Sequence, residues 1–75
     1  MKTSVIYINE ITDLKKFVNF AERTDGDITV TRGKYCVDGK SLMGLFSVDM
    51  SLGATVEYPE DISEDFQLFI DLRSR

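Results

Sequence analysis

The spacing of the apolar side chains switches repeatedly between the period of a strand and the period of a helix, and this order of patterns constrains the fold most. Residues 2–8 are rich in β-branched and aromatic types, with Ile6 and Ile8 on one face, which predicts a strand inside a sheet. A helix that buries one stripe follows, because four apolar residues have the i, i+3, i+4, i+7 spacing: Leu14, Phe17, Val18 and Ala21. We expect Thr12 to be the N-cap of this helix.

The next segment has the pattern of a β-hairpin. Residues 27–31 alternate strictly between polar and apolar types, and residues 34–37 return as the partner strand. Arg32 and Gly33 supply the turn, where glycine readily adopts a positive φ. We expect Cys36, in the second strand, to be a small buried side chain rather than a reactive thiol.

The C-terminal half adds two helices with a strand between them. Ser41 precedes a short apolar run at helical spacing and is a favoured N-cap residue. Residues 53–58 have the composition of the next strand. Asp61, followed by Glu64, has the spacing of a capping box and opens the last helix. Two arginines near its C-terminal end complement the helix dipole: Arg73 and Arg75.

The resulting order is β-α-β-β-α-β-α within a single domain, residues 1–75. A four-stranded antiparallel sheet covered on one face by three helices is the layered α+β arrangement that fits this order. The predicted core consists of the inward apolar positions: Ile6, Ile8, Leu14, Phe17, Val18, Ala21, Ile28, Val30, Leu45, Val56, Phe66, Phe69 and Ile70. The other sheet face, with Tyr35 and either Val37 or Cys36 at its edge, is expected to be partly exposed.

Composition excludes several classes of function. The formal net charge is −4, which opposes a nucleic-acid partner, because phosphate backbones are bound by clustered Lys and Arg. One cysteine and no histidine leave no internal disulfide and none of the usual zinc ligand sets, so no metal or cofactor is expected. The longest wholly apolar run, residues 5–8, is too short for a signal-peptide core or a membrane span. We expect a cytoplasmic protein that begins within its own fold.

A stretch in the middle of the chain resembles the regulatory-serine helix and following turn of the histidine-containing phosphocarrier (HPr) proteins of the sugar phosphotransferase system. It reads Lys40-Ser41-Leu42-Met43-Gly44-Leu45-Phe46-Ser47, followed by Leu52-Gly53-Ala54 and a strand. The similarity runs without a gap from Asp13 to Tyr58. It implies an HPr-like open-faced β-sandwich, and the serine of that family that matches Ser41 is the target of a dedicated kinase.

The segment before the first helix departs from that family. HPr proteins carry phosphate there on a histidine, within a Gly-apolar-His-Ala-Arg-Pro segment. This chain has no histidine and reads Asn9-Glu10-Ile11-Thr12-Asp13 at that place. After Ser47, Val48-Asp49 also replaces the usual Leu-Gly of the family. The resemblance therefore implies the fold, and protein partners like those of the family, but not the carrying of phosphate on histidine.

Ser41 has two interpretations. As an N-cap it satisfies one free amide of the helix, which is worth about 1 kcal/mol. As a phosphorylation site it would place a dianionic phosphate beside the free N–H groups and the positive end of the helix dipole. The residues alone favour the cap, and the resemblance adds the regulatory interpretation.

The apolar residues of the same helix also have two interpretations. Leu45 can supply the single stripe that a two-turn helix usually buries, which leaves its apolar neighbours free to form a docking patch. Otherwise these neighbours belong to the core. The candidate docking surface consists of five residues: Lys40, Leu42, Met43, Phe46 and Ser47. Met50 either extends this surface or fills a gap in the core.

Four side chains are the only acids or nucleophiles near the place where HPr proteins keep their histidine: Glu10, Thr12, Asp13 and Ser47. A carboxylate can accept a phosphoryl group as an acyl phosphate. At a solvated helix N-terminus, however, it usually serves as a capping charge. We therefore assign no catalytic residue and do not expect an enzyme.

The sequence thus predicts a regulatory or docking module that binds a protein partner, cannot carry phosphohistidine and has Ser41 as a candidate point of control. A residual phosphocarrier that uses another acceptor is the first alternative. A small-molecule sensor with a similar core is the second, and it would show ligand-dependent melting shifts.

Overall fold

The computed structural model describes residues 1–74, which form one antiparallel sheet with helices on one side. The elements follow the predicted order: β1 (Lys2–Ile6), α1 (Ile11–Glu22), β2 (Thr29–Arg32), β3 (Tyr35–Asp38), α2 (Leu42–Phe46), a 3₁₀ turn (Met50–Leu52), β4 (Ala54–Tyr58) and α3 (Glu64–Arg73). The strands are arranged β1-β4-β2-β3, and each neighbouring pair is antiparallel. The predicted α+β fold with three helices and an open sheet face is confirmed. Within residues 1–74, every helix is too short or too polar to cross a bilayer.

The position of β1 corrects the sequence prediction. Among the described strands β1 pairs with β4 alone, so it lies at an edge of the sheet and not inside it. It ends at Ile6, after which the N–H of Tyr7 donates to the carbonyl of Arg73 (2.9 Å). The N–H of Ile8 donates to the carbonyl of Met50 (3.0 Å). The apolar run that indicated a central strand is therefore covered by α3 and the 3₁₀ turn, which the pattern of a single strand cannot reveal.

Two predicted helix caps are also wrong. Helix α1 begins at Ile11, Glu10 occupies its N-cap position, and Thr12 lies inside the first turn. Helix α3 is capped by Ser63 and not by Asp61, because the Ser63 Oγ accepts a hydrogen bond from the N–H of the residue three positions later (3.2 Å). Several polar residues precede each helix, and the packing of the apolar stripe decides which of them becomes the cap. Arg73 lies in the last turn as predicted, and Arg75 lies outside the described residues.

The hairpin forms as predicted, with its turn displaced by one residue. Arg32 pairs with Tyr35, so the two-residue turn is Gly33-Lys34. Gly33 has a φ of +58°, the left-handed conformation that favours glycine.

Cys36 is exposed, which corrects the expectation that it is buried. Val37 lies opposite the buried Val30 and packs against the core. Because side chains alternate along a strand, Cys36 and its partner Thr31 lie on the open face of the sheet. Tyr35 is exposed, as expected at this edge.

The hydrophobic core lies between the sheet and the helices. Every residue predicted for it is buried. Among residues 1–74, four further buried apolar side chains were not in the predicted core: Val48, Met50, Ala54 and Tyr58. Met50 therefore fills the core and does not extend the surface of α2. Stacked rings of Phe20 and Phe66, with centroids 5.2 Å apart, join α1 to α3.

Candidate functional site

Helix α2 presents an apolar face to the core and a second one to solvent. Leu45 is 0% exposed, and Leu42 is half-buried against the edge of the core. Met43 is 83% exposed and Phe46 is 53% exposed. Met43 and Phe46 therefore lie outside the core, whereas Leu42 belongs partly to it.

The short helix is held in place by hydrogen bonds at both ends. The Ser41 Oγ accepts a bond from the N–H of Gly44 (3.1 Å), which confirms the predicted N-cap. The Ser47 Oγ donates to the carbonyl of Gly44 at the other end (2.6 Å). Before the helix, the N–H of Lys40 donates to the carboxylate of Asp38 (2.9 Å). Because a five-residue helix has almost no stability alone, these bonds and the burial of its inner face position it.

A groove of about 420 Å³ separates the start of α1 from α2 and the 3₁₀ turn. Its lining comes from residues 8–11 and Leu14 on one side and from residues 45–51 on the other. Two exposed apolar side chains lie on its opposite walls, Ile11 (59% exposed) and Phe46. Ile11 was not singled out in the sequence, because the segment before α1 read as a break between elements. The groove thus joins the exposed face of α2 to the residues that precede α1.

The structure separates the four acids and hydroxyls proposed near the start of α1. Glu10 and Ser47 both line the groove and are exposed. The Glu10 side chain makes no capping hydrogen bond to the helix that it precedes. Asp13 instead forms an ion pair with Arg73 of α3 (3.1 Å), and Thr12 does not line the groove. Glu10 is therefore the carboxylate of this set that faces the groove.

Asp49 is a further polar group of the groove that sequence analysis did not single out as a site residue. Its Oδ1 accepts hydrogen bonds from the hydroxyl and the N–H of Ser51. These two bonds, with a smaller contribution from the charge of Arg32, hold the pKa of the Asp49 carboxyl below its ordinary value of 3.8. An Asp two residues before a Ser at a turn is the sequence signal that could have indicated this Asx-type bond.

The 3₁₀ turn that forms one wall is fixed by close contacts. An Nη1 donor of Arg32 reaches the carbonyls of Leu52 (3.3 Å) and Gly53 (2.7 Å). Gly53 has a φ of +95°, and a side chain on it would come within 2.8 Å of the ring of Tyr7. Only glycine fits this position without displacing its neighbours.

The groove and α2 together combine exposed apolar side chains with a few hydrogen-bonding groups. This mixture is typical of protein-docking surfaces, in which Met and aromatic residues are enriched. Within the described part of the chain, no three His, Cys, Asp or Glu side chains converge in a way that could hold a metal ion.

A family model described as "PTS HPr component phosphorylation site" matches residues 14–59, which is more than half of the chain. The matched range contains Ser41 and all of α2, and it begins after Glu10. Searches of curated proteins and of solved structures find no match.

Proposed function

The chain belongs to the HPr family of the phosphotransferase system, and from this premise we propose that it is a regulatory docking module that binds a protein partner through α2 and does not carry phosphohistidine. The observation that carries the proposal is the exposure of Met43 and Phe46 beside Ser41 on a helix whose inner face is buried. The imidazole that would hold the phosphate is missing, because the chain contains no histidine.

The proposed docking surface consists of Lys40, Leu42, Met43, Phe46 and Ser47. Leu45 anchors α2 to the core, and Ser41 and Ser47 form hydrogen bonds at its two ends, so the helix is already formed before a partner binds. A helix that is already formed loses less conformational entropy on binding. Met43 and Phe46 are the expected anchors, because large apolar side chains carry most of the energy of such interfaces.

Ser41 is the proposed point of control. A phosphate there adds about −1.5 to −2 charges at neutral pH, within one turn of Met43 and next to Lys40. The helix dipole tolerates an anion at this end, so the fold should survive the modification. Phosphorylation is therefore proposed to change the choice of partner, by repelling an acidic surface or recruiting an arginine.

Capture of partners from an extract of the native host tests the docking proposal. Wild type, Met43→Glu and Phe46→Glu would be immobilised and the bound proteins identified by mass spectrometry. Val5→Glu is the matched control, since it places the same charge on an exposed apolar residue of β1, away from α2. We expect the α2 variants to lose a partner that the control retains, with melting temperatures within a few degrees of wild type. Equal capture by all four proteins, or a large loss of stability in the α2 variants, would contradict the proposal.

A second candidate function is residual phosphate transfer through Glu10. The observation that favours it is the Glu10 carboxylate, which is exposed in the groove and makes no capping hydrogen bond to α1. In that step a carboxylate oxygen attacks the phosphorus of a phosphohistidine on an upstream phosphotransferase protein. The O–P bond forms, the P–N bond breaks, and the imidazole leaves. The product is an acyl phosphate, which hydroxylamine cleaves.

A further inference from the structure

Helix α3 has apolar residues on two faces, and the fold accounts for one of them. Phe66, Phe69 and Ile70 are buried in the core. Leu68 is 57% exposed and Leu72 is 72% exposed. They are four residues apart and therefore neighbours on one side of the helix. A surface helix usually carries a single apolar stripe, so the second stripe on α3 is not explained by the core.

The second stripe forms one wall of a groove of about 450 Å³ between α1 and α3. The half-buried Phe20 lies along its α1 side and Phe69 along its α3 side. The opposite wall is a polar stripe of α1 at helical spacing: Lys16, Asn19 and Arg23. None of the lining residues is shared with the groove beside α2. The two walls thus differ in chemistry: the α1 wall carries two cations, and the α3 wall is apolar except for Asp65 and Arg73.

The two cations of the α1 wall form no ion pair within the described residues. Lys16 and Arg23 take part in neither of the ion pairs found among residues 1–74, and Arg23 also borders a neighbouring pocket with Asp25, Asp61 and Asp65. Arg23 is held over the ring of Phe20 (5.5 Å to the centroid), and its Nε donates to the carbonyl of Asn19 (3.2 Å). Asp65 is the single acid among the lining residues. In a chain with a net charge of −4, this wall has the opposite sign to the molecule as a whole.

The geometry points to a second docking site, at which an amphipathic helix with acidic residues, contributed by a partner protein, lies in the groove between α1 and α3. Its apolar side chains pack on Leu68 and Leu72, and its carboxylates face Lys16 and Arg23. These cations are separated by seven positions, which at about 1.5 Å per residue is roughly 10 Å along α1. The partner helix therefore carries acids at i and i+7, and its apolar residues, four positions apart like Leu68 and Leu72, lie at i+1 and i+5, about a third of a turn around the helix from the acids.

Charge determines which kind of helix binds in this groove. A helix with lysines at the same positions would meet like charges on the α1 wall, where close approach of unpaired cations is unfavourable. This site is independent of the docking function proposed for α2, so an experiment can refute one of the two proposals and leave the other standing.

Two synthetic helical peptides test the site directly. One has Glu at i and i+7 and Leu at i+1 and i+5, and the other has Lys in place of both Glu. Each is titrated into the isotopically labelled 75-residue chain while the backbone amide signals are followed by NMR. We expect the Glu peptide to shift signals of α1 and α3 and to bind about tenfold more tightly than the Lys peptide, a difference of roughly 1.4 kcal/mol.

Matched variants measure the contribution of each wall to peptide binding. The Leu68→Ser/Leu72→Ser double variant should weaken both peptides, and Lys16→Glu/Arg23→Glu should reverse the preference in favour of the Lys peptide. Lys34→Glu and Tyr35→Ser, in the exposed hairpin of β2 and β3, should change neither affinity. Thermal melting of each variant checks that the fold is kept.

Four results of the peptide titrations overturn the inference. They are equal binding of the two peptides, no binding up to the solubility limit, shifts confined to α2, and unchanged preference in the charge-reversed variant. If the α1 and α3 signals move with the concentration of the chain alone, a second copy covers the groove, and the inference is overturned in that case as well.

Discussion

At the scale of single residues, Ser41 has a structural role that can be measured separately from a regulatory one. Its Oγ accepts the hydrogen bond from Gly44 that begins α2. Ser41→Ala should therefore lower the free energy of unfolding by about 1 kcal/mol, whereas Ser41→Asp, which retains a capping oxygen, should change it little. Ser63→Ala removes the equivalent cap of α3 and is the matched control for denaturant unfolding.

The same variants test the regulatory role of Ser41. After exposure to the serine kinase of a host that has one, wild type should be labelled and Ser41→Ala should not. Ser41→Asp should shift partner affinity in the direction of the phosphorylated protein. Equal labelling of wild type and Ser41→Ala, or no labelling at all, would leave Ser41 with its capping role only.

Asp49 gives a prediction for the dependence of stability on pH. Its pKa is lowered in the folded protein, first by its bonds to Ser51 and then by Arg32, so its contribution to stability is present above its unfolded pKa. That contribution is lost as the pH falls through the lowered value. The melting-temperature gap between wild type and Asp49→Asn should be constant near neutral pH and shrink in acid below 3.8. Asp25→Asn, at an exposed aspartate without a side-chain hydrogen bond among the described residues, is the control, and a gap that widens in acid would refute the assignment.

At the scale of elements, α2 should respond very differently to changes on its two faces. Leu45 is fully buried, so Leu45→Ala removes packed atoms from the core and should cost about 2–5 kcal/mol. Met43→Ala, on the exposed face, should stay within about 0.5 kcal/mol of wild type. Chemical denaturation of both variants measures the difference, and a comparable loss in both would show that Met43 is packed in solution.

The elements themselves could be predicted because each carries a clear period. The helical stripe of α1 and the alternation of β2 determine which side chains face inward, and all the core positions predicted from them are buried. The errors lie where tertiary contacts decide. The segment after β1 is covered by the 3₁₀ turn and α3, to which its backbone is hydrogen-bonded. Cys36 is exposed because only one face of its strand packs on the core.

The candidate site was less accessible to sequence reasoning than the fold. Ser41, Met43 and Phe46 could be identified because a short helix has room for one buried stripe. The opposite wall of the groove could not, since Ile11 lies across from Phe46 only in the folded chain, where the N–H of Ile8 bonds to the carbonyl of Met50. Such a juxtaposition of distant segments leaves no periodic signal in the chain.

At the scale of the whole molecule, the arrangement of α1 and α3 limits which groups could accept phosphate. Asp13 of α1 forms an ion pair with Arg73 of α3 (3.1 Å from Oδ1 to Nη2), which links the two helices. Arg73 also lies over the ring of Phe69 (3.7 Å to the centroid), which fixes its guanidinium there. Glu10 remains exposed at the groove, which it lines together with Asp49, and the fold of the HPr family is present without a histidine.

The most direct test of the proposed function is phosphoryl transfer in a reconstituted relay. Wild type, Glu10→Gln and a histidine-containing HPr protein would be incubated with phosphoenolpyruvate and the upstream phosphotransferase, and their intact masses measured. We predict that the histidine-containing protein gains a phosphoryl group while both forms of this chain keep their mass. Stoichiometric phosphorylation of wild type would contradict the proposal, and its loss on hydroxylamine treatment and in Glu10→Gln would identify Glu10 as the acceptor.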